Sequence, residues 1–134
     1  MADTADTVTL LVPRDRSFLP LLHMVLGGIG LRHDLSFDAL DDLQLAVDNI
    51  LAEDESEEAE LTMEVTLGGP LLHISLSSLS GADLEHMLKE GAVPAGAEGR
   101  CIDVCVLLRS LVDAYQVRDL GEGRFALDMQ KHVR

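Results

Sequence analysis

The sequence predicts an α+β domain of two layers, in which a mixed, mostly antiparallel sheet is covered on one face by helices. Apolar residues recur at helical spacing in the first half of the chain, and short strand-like segments separated by glycine turns follow. The chain has 134 residues, of which 47% are hydrophobic and 25% charged. This size and balance are those of one globular domain, residues 1–134, with its own core. Residues 1–6 are expected to be disordered.

The N-terminal third predicts one strand and one helix. Residues 7–12 are rich in β-branched side chains, which favours a strand that Pro13 ends. Residues 18–29 carry apolar side chains three and four positions apart, which predicts a helix. Gly30 is the expected end of that helix, because glycine readily adopts the conformation that closes a helix.

A second helix and a long acidic block follow. Ser36 is the expected N-cap, and the apolar residues after it keep helical spacing as far as Leu51. Residues 53–60, EDESEEAE, are expected to form a solvated helix end and loop. Residues 34–60 hold 11 carboxylates and no Lys or Arg. This block is either a solvated surface or a docking face for a basic partner.

The second half alternates strands and helices joined by glycine-rich segments. Gly68-Gly69-Pro70 separates two alternating segments and predicts a hairpin. The predicted elements are strands at 61–67 and 71–77, a short helix at 82–89, a long buried helix at 101–115, and a closing pair of strands around the turn at 121–123. The whole order is β-α-α-β-β-(α)-α-β-β.

Composition excludes several classes of function. Ten Lys and Arg stand against 24 Asp and Glu, for a formal charge of −14 at pH 7. Such a chain is repelled by nucleic acid and by anionic membranes. No apolar run reaches the roughly 20 residues of a membrane-spanning helix, and the N-terminus has no signal-peptide pattern. We therefore expect a cytoplasmic protein that binds neither nucleic acid nor membrane.

Cysteine and histidine give little sign of a catalytic or metal site. Cys101 and Cys105 would lie one helical turn apart, either as small core residues or as a redox switch. The 5 histidines lack the spacing of metal ligands, and His23 is expected to be a structural histidine with a hydrogen-bond partner. Asp103 either caps the predicted long helix or faces a pocket. No metal site is predicted.

Two segments resemble the RsbW and SpoIIAB group of anti-sigma factors, which belong to the GHKL (histidine-kinase-like) ATPase superfamily. The first is FDALDDLQLAVD at residues 37–48, which is similar to the family's approach to its nucleotide-binding helix. The second is LLRSLVD at residues 107–113, with VR at 117–118 and GEGRFAL at 121–127, which is similar to the C-terminal helix and hairpin. The resemblance implies the Bergerat-type two-layer fold, an ancestral ATP and Mg²⁺ site, and serine kinase activity in active members.

The resemblance also shows where this chain departs from the family. In the first motif the family has a Glu general base and, four residues later, an Asn that holds Mg²⁺. Asn49 stands at the Glu position and Glu53 at the Asn position. An amide is not basic enough to take a proton from a hydroxyl group. The resemblance therefore implies no catalytic residue in this chain.

The other two motifs depart as well. Ser77 stands near the family's adenine-reading Asp, and the segment that follows retains only Gly81. Residues 102–105, IDVC, fill the place of the phosphate-binding glycine pair, for which Gly96 and Gly99 lie upstream. Asn49, Glu53 and Ser77 are thus the candidate residues of a degenerate nucleotide pocket. No cofactor is expected, and ATP with Mg²⁺ would bind only if these motifs align differently.

Three functions follow from this interpretation. The first is an anti-sigma-factor-like regulator that binds a sigma factor or an anti-sigma antagonist and has an inactive ATP site. The alternative is an active ATP-dependent serine kinase that phosphorylates such an antagonist. The third is a small-molecule sensor that uses the former nucleotide pocket. The apolar face formed by Phe18, Leu21, Leu22 and Val25 is either core or the interface of a homodimer or of a heterodimer with a related regulator.

Overall fold

The structure, a computed structural model, describes residues 6–90 and 107–132. Its strands are β1 (Asp6–Pro13), β2 (Glu60–Gly68), β3 (Leu71–Ser80), β4 (Ala114–Gly121) and β5 (Arg124–His132). Its helices are α1 (Leu19–Arg32), α2 (Phe37–Glu53) and α3 (Ala82–Glu90), with a short 3₁₀ turn at Arg16–Phe18 before α1. Residues 107–111 are also helical and are named α4. The predicted fold class and element order are confirmed.

The five strands form one sheet in the order β1-β2-β3-β5-β4, and every pairing between the described strands is antiparallel. Burial alternates along β2, where Leu61, Met63, Val65 and Leu67 are buried and the residues between them are not. The buried side chains of the sheet share one core with those of α1 and α2. The helices therefore cover one face of the sheet and leave the other face open.

Helix α2 is held by its cap and by a wide apolar stripe. The Ser36 hydroxyl accepts a hydrogen bond from the backbone N–H of Ala39 at 3.1 Å, which fixes the start of the helix. Asp38 lies in the first turn, where the helix dipole favours a negative charge. The residues that α2 buries follow the predicted spacing; they are Ala39, Leu43, Ala46, Val47 and Ile50.

Helix α1 continues to Arg32, so the predicted end at Gly30 is wrong. Gly30 is buried, and a Cβ there would lie 3.4 Å from the side chain of Leu35. This glycine therefore lets the following turn pack closely instead of ending the helix. The backbone reverses at Asp34, which takes a φ of 58°.

The predicted helix over residues 101–115 ends earlier, at Leu111, and its last residues are wrong. Asp113 turns the chain, because its N–H donates to the Gln130 carbonyl at 2.9 Å and its carboxylate accepts from the His132 N–H at 2.7 Å. Tyr115 consequently belongs to β4, where it pairs with Met129. Cys101, Asp103 and Cys105 lie outside the described residues, as do Gly96 and Gly99.

The predicted disordered segment at residues 1–6 includes one described residue. Asp6 is the first residue of β1 and pairs with Leu67. Residues 1–5 lie outside the part of the chain that the structure describes.

Candidate functional site

Asn49 and Glu53 lie one helical turn apart on the C-terminal half of α2. The Asn49 side-chain amide donates a hydrogen bond to the carbonyl of Leu45 at 2.8 Å, within its own helix. Glu53 is exposed and is the last residue of α2. These two residues share a helix face, as the spacing predicts. That face therefore presents an amide and a solvated carboxylate one turn apart.

The same face of α2 carries an ion pair that the sequence analysis does not identify. Asp42 lies two turns before Asn49, and its Oδ2 is 3.0 Å from the Nζ of Lys131. The Lys131 ammonium also donates to the Leu111 carbonyl at 2.7 Å, and its side chain is only 14% exposed. This one cation thus joins α2 to β5 and to the end of α4. The two partners are 89 positions apart, so no local pattern indicates the pair.

Ser77 lies on β3, away from the face of α2 that carries Asn49 and Glu53. It pairs with Thr62 of β2, and both residues alternate with core residues of their strands. Their side chains therefore lie on the open face of the sheet, whereas α2 packs on the other face. The structure brings Asn49 and Glu53 together but does not place the Ser77 side chain beside them. The assignment of these three residues to a nucleotide pocket stays a prediction.

The ends of α2 and β3 meet at Asp54, the residue that follows Glu53. One Asp54 oxygen accepts from the N–H of Ser80 at 2.9 Å and from the N–H of Ser56 at 3.1 Å. The N–H of Glu55 in turn donates to the Ser80 carbonyl at 2.8 Å. These bonds fix the start of the acidic run 53–60 against the end of β3. The predicted solvated loop is correct for most of this run, but the side chain of Asp54 is only 4% exposed.

Arg14 follows β1 and forms an ion pair with Asp54. Its side chain also donates to the carbonyls of Ser78 at 3.0 Å, Glu58 at 3.0 Å and Glu60 at 3.3 Å. Beside this pair lies a cavity of about 270 Å³ between the end of β1 and α2. The cavity walls include Val12, Phe18, Leu19 and Leu51, and none of the three predicted pocket residues lines it. The function of this cavity does not follow from the predicted motifs.

The acidic block divides into paired and unpaired carboxylates. Four of its 11 carboxylates have a basic partner outside the block. Three form ion pairs, which are Asp42 with Lys131, Asp54 with Arg14, and Glu58 with Arg124, and the fourth, Asp48, lies within hydrogen-bond distance of His23. The other seven make no ion pair within the described residues; they are Asp34, Asp38, Asp41, Glu53, Glu55, Glu57 and Glu60. Most of the block is thus an exposed negative surface.

His23 has the partner that the sequence predicts for a structural histidine. Its Nε2 lies 2.8 Å from Asp48 Oδ1, and its carbonyl accepts from the Gln44 side chain at 3.2 Å. The pair links α1 to α2. No group of His, Cys, Asp and Glu within the described ranges 6–90 and 107–132 is arranged to hold a metal ion. Among those residues, too, no helix is long and apolar enough to cross a membrane.

On the open face of the sheet, Arg118 and Asp128 form a bidentate pair. Arg118 Nε and Nη2 lie 2.6 and 3.1 Å from the two Asp128 oxygens. Partial burial raises the pKa of Asp128, but the hydrogen bonds from Arg118 and Ser75 outweigh it, so the net pKa is lowered. The pKa of Arg118 is raised by the same hydrogen bond. Both groups therefore stay charged at neutral pH.

Two other groups have shifted pKa values. The backbone N–H of His132 donates to Asp113, and this bond and the contact with the His132 side chain lower the pKa of Asp113. The hydrogen bond to Glu85 raises the pKa of Lys89 on α3. Neither group is close to the predicted pocket residues in sequence or by any described contact. The shifts thus reflect local ion pairs and do not indicate a catalytic acid or base.

The fold is that of a known solved structure. The chain matches the crystal structure of the RsbU and RsbW domains of a Mycobacterium tuberculosis protein, with a TM-score of 0.66 and 9% sequence identity. The match covers 96% of this chain and 32% of that chain, so this chain spans about a third of its length. No protein-family model matches the sequence, and no curated protein matches it significantly. The similarity establishes an RsbW-like two-layer fold.

Proposed function

We propose that this protein is a regulator of the anti-sigma-factor type, which acts by binding another protein and whose nucleotide site is degenerate and inactive. The observation that carries the proposal is Asn49. In a fold similar to that of an RsbW domain, an amide stands where the family has its catalytic Glu, and it donates to the Leu45 carbonyl at 2.8 Å. The partner is a sigma factor or an anti-sigma antagonist.

The chemistry of this helix face supports binding without catalysis. Transfer of phosphate to serine is helped by a base that takes the hydroxyl proton, and an amide cannot serve as that base. Glu53 is a carboxylate one turn further on, but it is exposed at the helix end and opens the acidic run 53–60. Exposed carboxylates of this run would repel a triphosphate. The same negative surface would favour association with a basic protein.

Calorimetric titration tests the nucleotide part of the proposal. ATP and ADP are titrated into the purified protein with and without Mg²⁺, and we expect no binding up to millimolar nucleotide. The Asn49→Glu variant is expected to behave in the same way, because the other two motifs are also absent. Micromolar, Mg²⁺-dependent binding to the unmodified protein would contradict the inactive site and support the serine kinase alternative.

Capture of partners tests the regulatory part. The purified protein is used as bait in cytoplasm of the native organism, and bound proteins are identified by mass spectrometry. We expect a sigma factor or a regulator of its pathway in the bound fraction. A bait carrying Leu11→Gln, on the open face of the sheet, serves as a surface control. Recovery of neither class of protein would overturn the proposal.

A further inference from the structure

The outward face of α1 is apolar. Its solvent-facing residues include Leu21, Met24 and Leu31, whose exposed fractions are 39%, 70% and 85%. Gly28 is also exposed on this face. The only polar side chains of α1 are His23 and Arg32. We call Leu21, Met24, Gly28 and Leu31 the α1 ridge.

Such a ridge is unusual for a helix at the surface of a water-soluble fold. A helix that packs on a sheet buries one stripe and normally carries charged or polar residues on the opposite side. Helix α2 is closer to this rule, since its exposed side carries Asp38 and Asp41, together with Leu45, which is 46% exposed. Helix α1 departs from it, because its buried stripe of Leu22 and Leu26 is matched by an apolar outer stripe. A contiguous exposed apolar patch of this kind is typical of an interaction surface.

The ridge is shaped to admit another helix. Gly27 and Gly28 lie between Met24 and Leu31 along α1, and a Cβ at either glycine would meet no atom within 4 Å. The two large side chains thus stand on either side of a saddle. Because glycine has no side chain, the backbone of a second helix could approach α1 closely at that point.

The surface beside the ridge is negative. Asp34, Asp38 and Asp41 are exposed on the turn before α2 and on its first turns, and we call them the acidic edge. Phe37, the first residue of α2, lies between Asp34 and Asp38 in the sequence and is 86% exposed. The basic residues nearest in sequence have another carboxylate as their partner, because Arg32 and His33 both contact Asp6, at 3.8 and 3.3 Å.

We propose that the α1 ridge and the acidic edge together form a docking site for a basic amphipathic helix of a partner protein. The apolar side of that helix would cover Met24 and Leu31, and its Lys and Arg would face the acidic edge. This inference rests on the proposed function and adds the surface used and the chemistry of the partner. Charge selects this occupant, since a second copy would bring its own acidic edge and a formal charge of −14 to the contact.

The probe is a synthetic peptide of about 18 residues, long enough for five helical turns, with Leu on one face and Lys on the flanks. A fluorescent label allows its binding to be followed by anisotropy. We expect saturable binding that weakens as salt is raised, because the flanking charges are exposed. The same peptide with Glu in place of Lys is expected not to bind. Equal binding of the two peptides would overturn the charge argument.

Substitutions on the ridge locate the site. Met24→Gln and Leu31→Gln alter exposed side chains and should leave the fold intact, and each is expected to weaken peptide binding about tenfold or more, the effect of losing a central contact. Leu11→Gln is the matched control, because Leu11 is 58% exposed on the open face of the sheet. Weakening by Leu11→Gln equal to that of the ridge variants would contradict a specific site.

A larger side chain at Gly28 distinguishes a site that fits a helix from a surface that binds apolar peptides non-specifically. Gly28→Leu adds apolar surface where a Cβ meets no neighbour within 4 Å. If a helix docks closely across the saddle, this variant should bind the peptide more weakly than the unmodified protein. Stronger binding by Gly28→Leu would indicate non-specific adhesion and would overturn the proposal.

Two further outcomes distinguish this inference from the proposed function. A dimer in sedimentation experiments that Leu31→Gln dissociates would show that a second copy covers the ridge, and it would overturn the inference alone. A captured sigma factor that binds the Met24→Gln and Leu31→Gln variants as tightly as the unmodified protein would do the same. The nucleotide titration does not involve α1, so it tests the proposed function independently.

Discussion

Arg14 and Asp54 form an ion pair in which the two side chains are only 15% and 4% exposed. Arg14 follows the edge strand β1, and Asp54 is the C-cap residue that follows α2. Asp54 also accepts from the N–H groups of Ser56 and Ser80, so its charge is fully engaged. The pair therefore fixes the edge strand, the end of α2 and the end of β3 to one another. Asn49 and Glu53 lie in the last turns of α2, directly before this junction.

Removing one member of this pair should destabilise the whole domain. We expect Asp54→Ala to lower the free energy of unfolding by about 3 kcal/mol, because it leaves the Arg14 guanidinium, on a side chain only 15% exposed, without a counter-charge. Glu53→Ala, at the exposed neighbouring position, should change it by no more than about 0.5 kcal/mol. Urea denaturation followed by circular dichroism measures both. Equal effects of the two substitutions would show that the buried pair does not hold the junction.

Substitution of a glycine in α1 should instead raise the free energy of unfolding. Gly28 lies in the interior of α1, and a Cβ there would meet no atom within 4 Å. Gly28→Ala should therefore stabilise the protein by about 0.5–1 kcal/mol, because alanine favours a helix more than glycine does. Gly81→Ala is the control, since Gly81 has a φ of +135° and a side chain there should cost about 1 kcal/mol or more. Thermal unfolding compares the two. A loss of stability in Gly28→Ala would mean that α1 is not regular at this point.

Much of the fold is predictable because its signals are local. The apolar spacing of α2, its Ser36 cap and the Gly68-Gly69-Pro70 hairpin each lie within a few residues of the structure they specify. The end of α4 is different. Residues near Tyr115 are compatible with a helix, and the strand forms because Asp113 bonds to β5, more than 15 residues later. Tertiary pairing outweighs local preference there.

The candidate site is less predictable than the fold. A motif comparison finds Asn49 and Glu53, which are close in sequence, and it finds that their residue types are exchanged relative to the family. It does not find Arg14 with Asp54, which are 40 positions apart, or Lys131 with Asp42, which are 89 apart. Nor does it find the open-face position of Ser77, because that depends on the alternation along β3 and on the irregularity between Leu76 and Leu79.

The Arg118–Asp128 pair predicts a pH dependence of stability. The pKa of Asp128 is lowered in the folded protein from its ordinary value of 3.8. A carboxyl group with a depressed folded pKa adds stability above its unfolded pKa, and that stability is lost as pH falls through the folded value. Asp128→Asn should therefore cost about 1 kcal/mol at neutral pH, as expected for a partly exposed pair. The difference from the unmodified protein should shrink below pH 3.8.

Denaturant titrations at a series of pH values measure this difference directly. Glu57→Gln is the control, because Glu57 is exposed and makes no ion pair within the described residues, so its curve should run parallel to that of the unmodified protein. A constant difference between Asp128→Asn and the unmodified protein down to acid pH would contradict a stabilising role for the charged carboxylate.

Asp41 and Asp42 are adjacent carboxylates with different predicted roles. Asp42 neutralises Lys131, whose side chain is 14% exposed, so Asp42→Asn should lower the free energy of unfolding by about 1–3 kcal/mol. Asp41 is exposed and makes no ion pair within the described residues, so Asp41→Asn should change stability by no more than about 0.5 kcal/mol. As part of the acidic edge, Asp41 should instead contribute to binding of the basic peptide.

Urea denaturation and peptide anisotropy on the same two variants separate these roles. Asp41→Asn is expected to weaken peptide binding, and more at low salt than at high salt, because exposed charges are screened. Asp42→Asn is expected to unfold more easily while its folded fraction binds the peptide nearly as the unmodified protein does. The reverse pattern would place the docking contact on the side of α2 that faces Lys131, where Asn49 and Glu53 also lie, and would contradict a site built on α1.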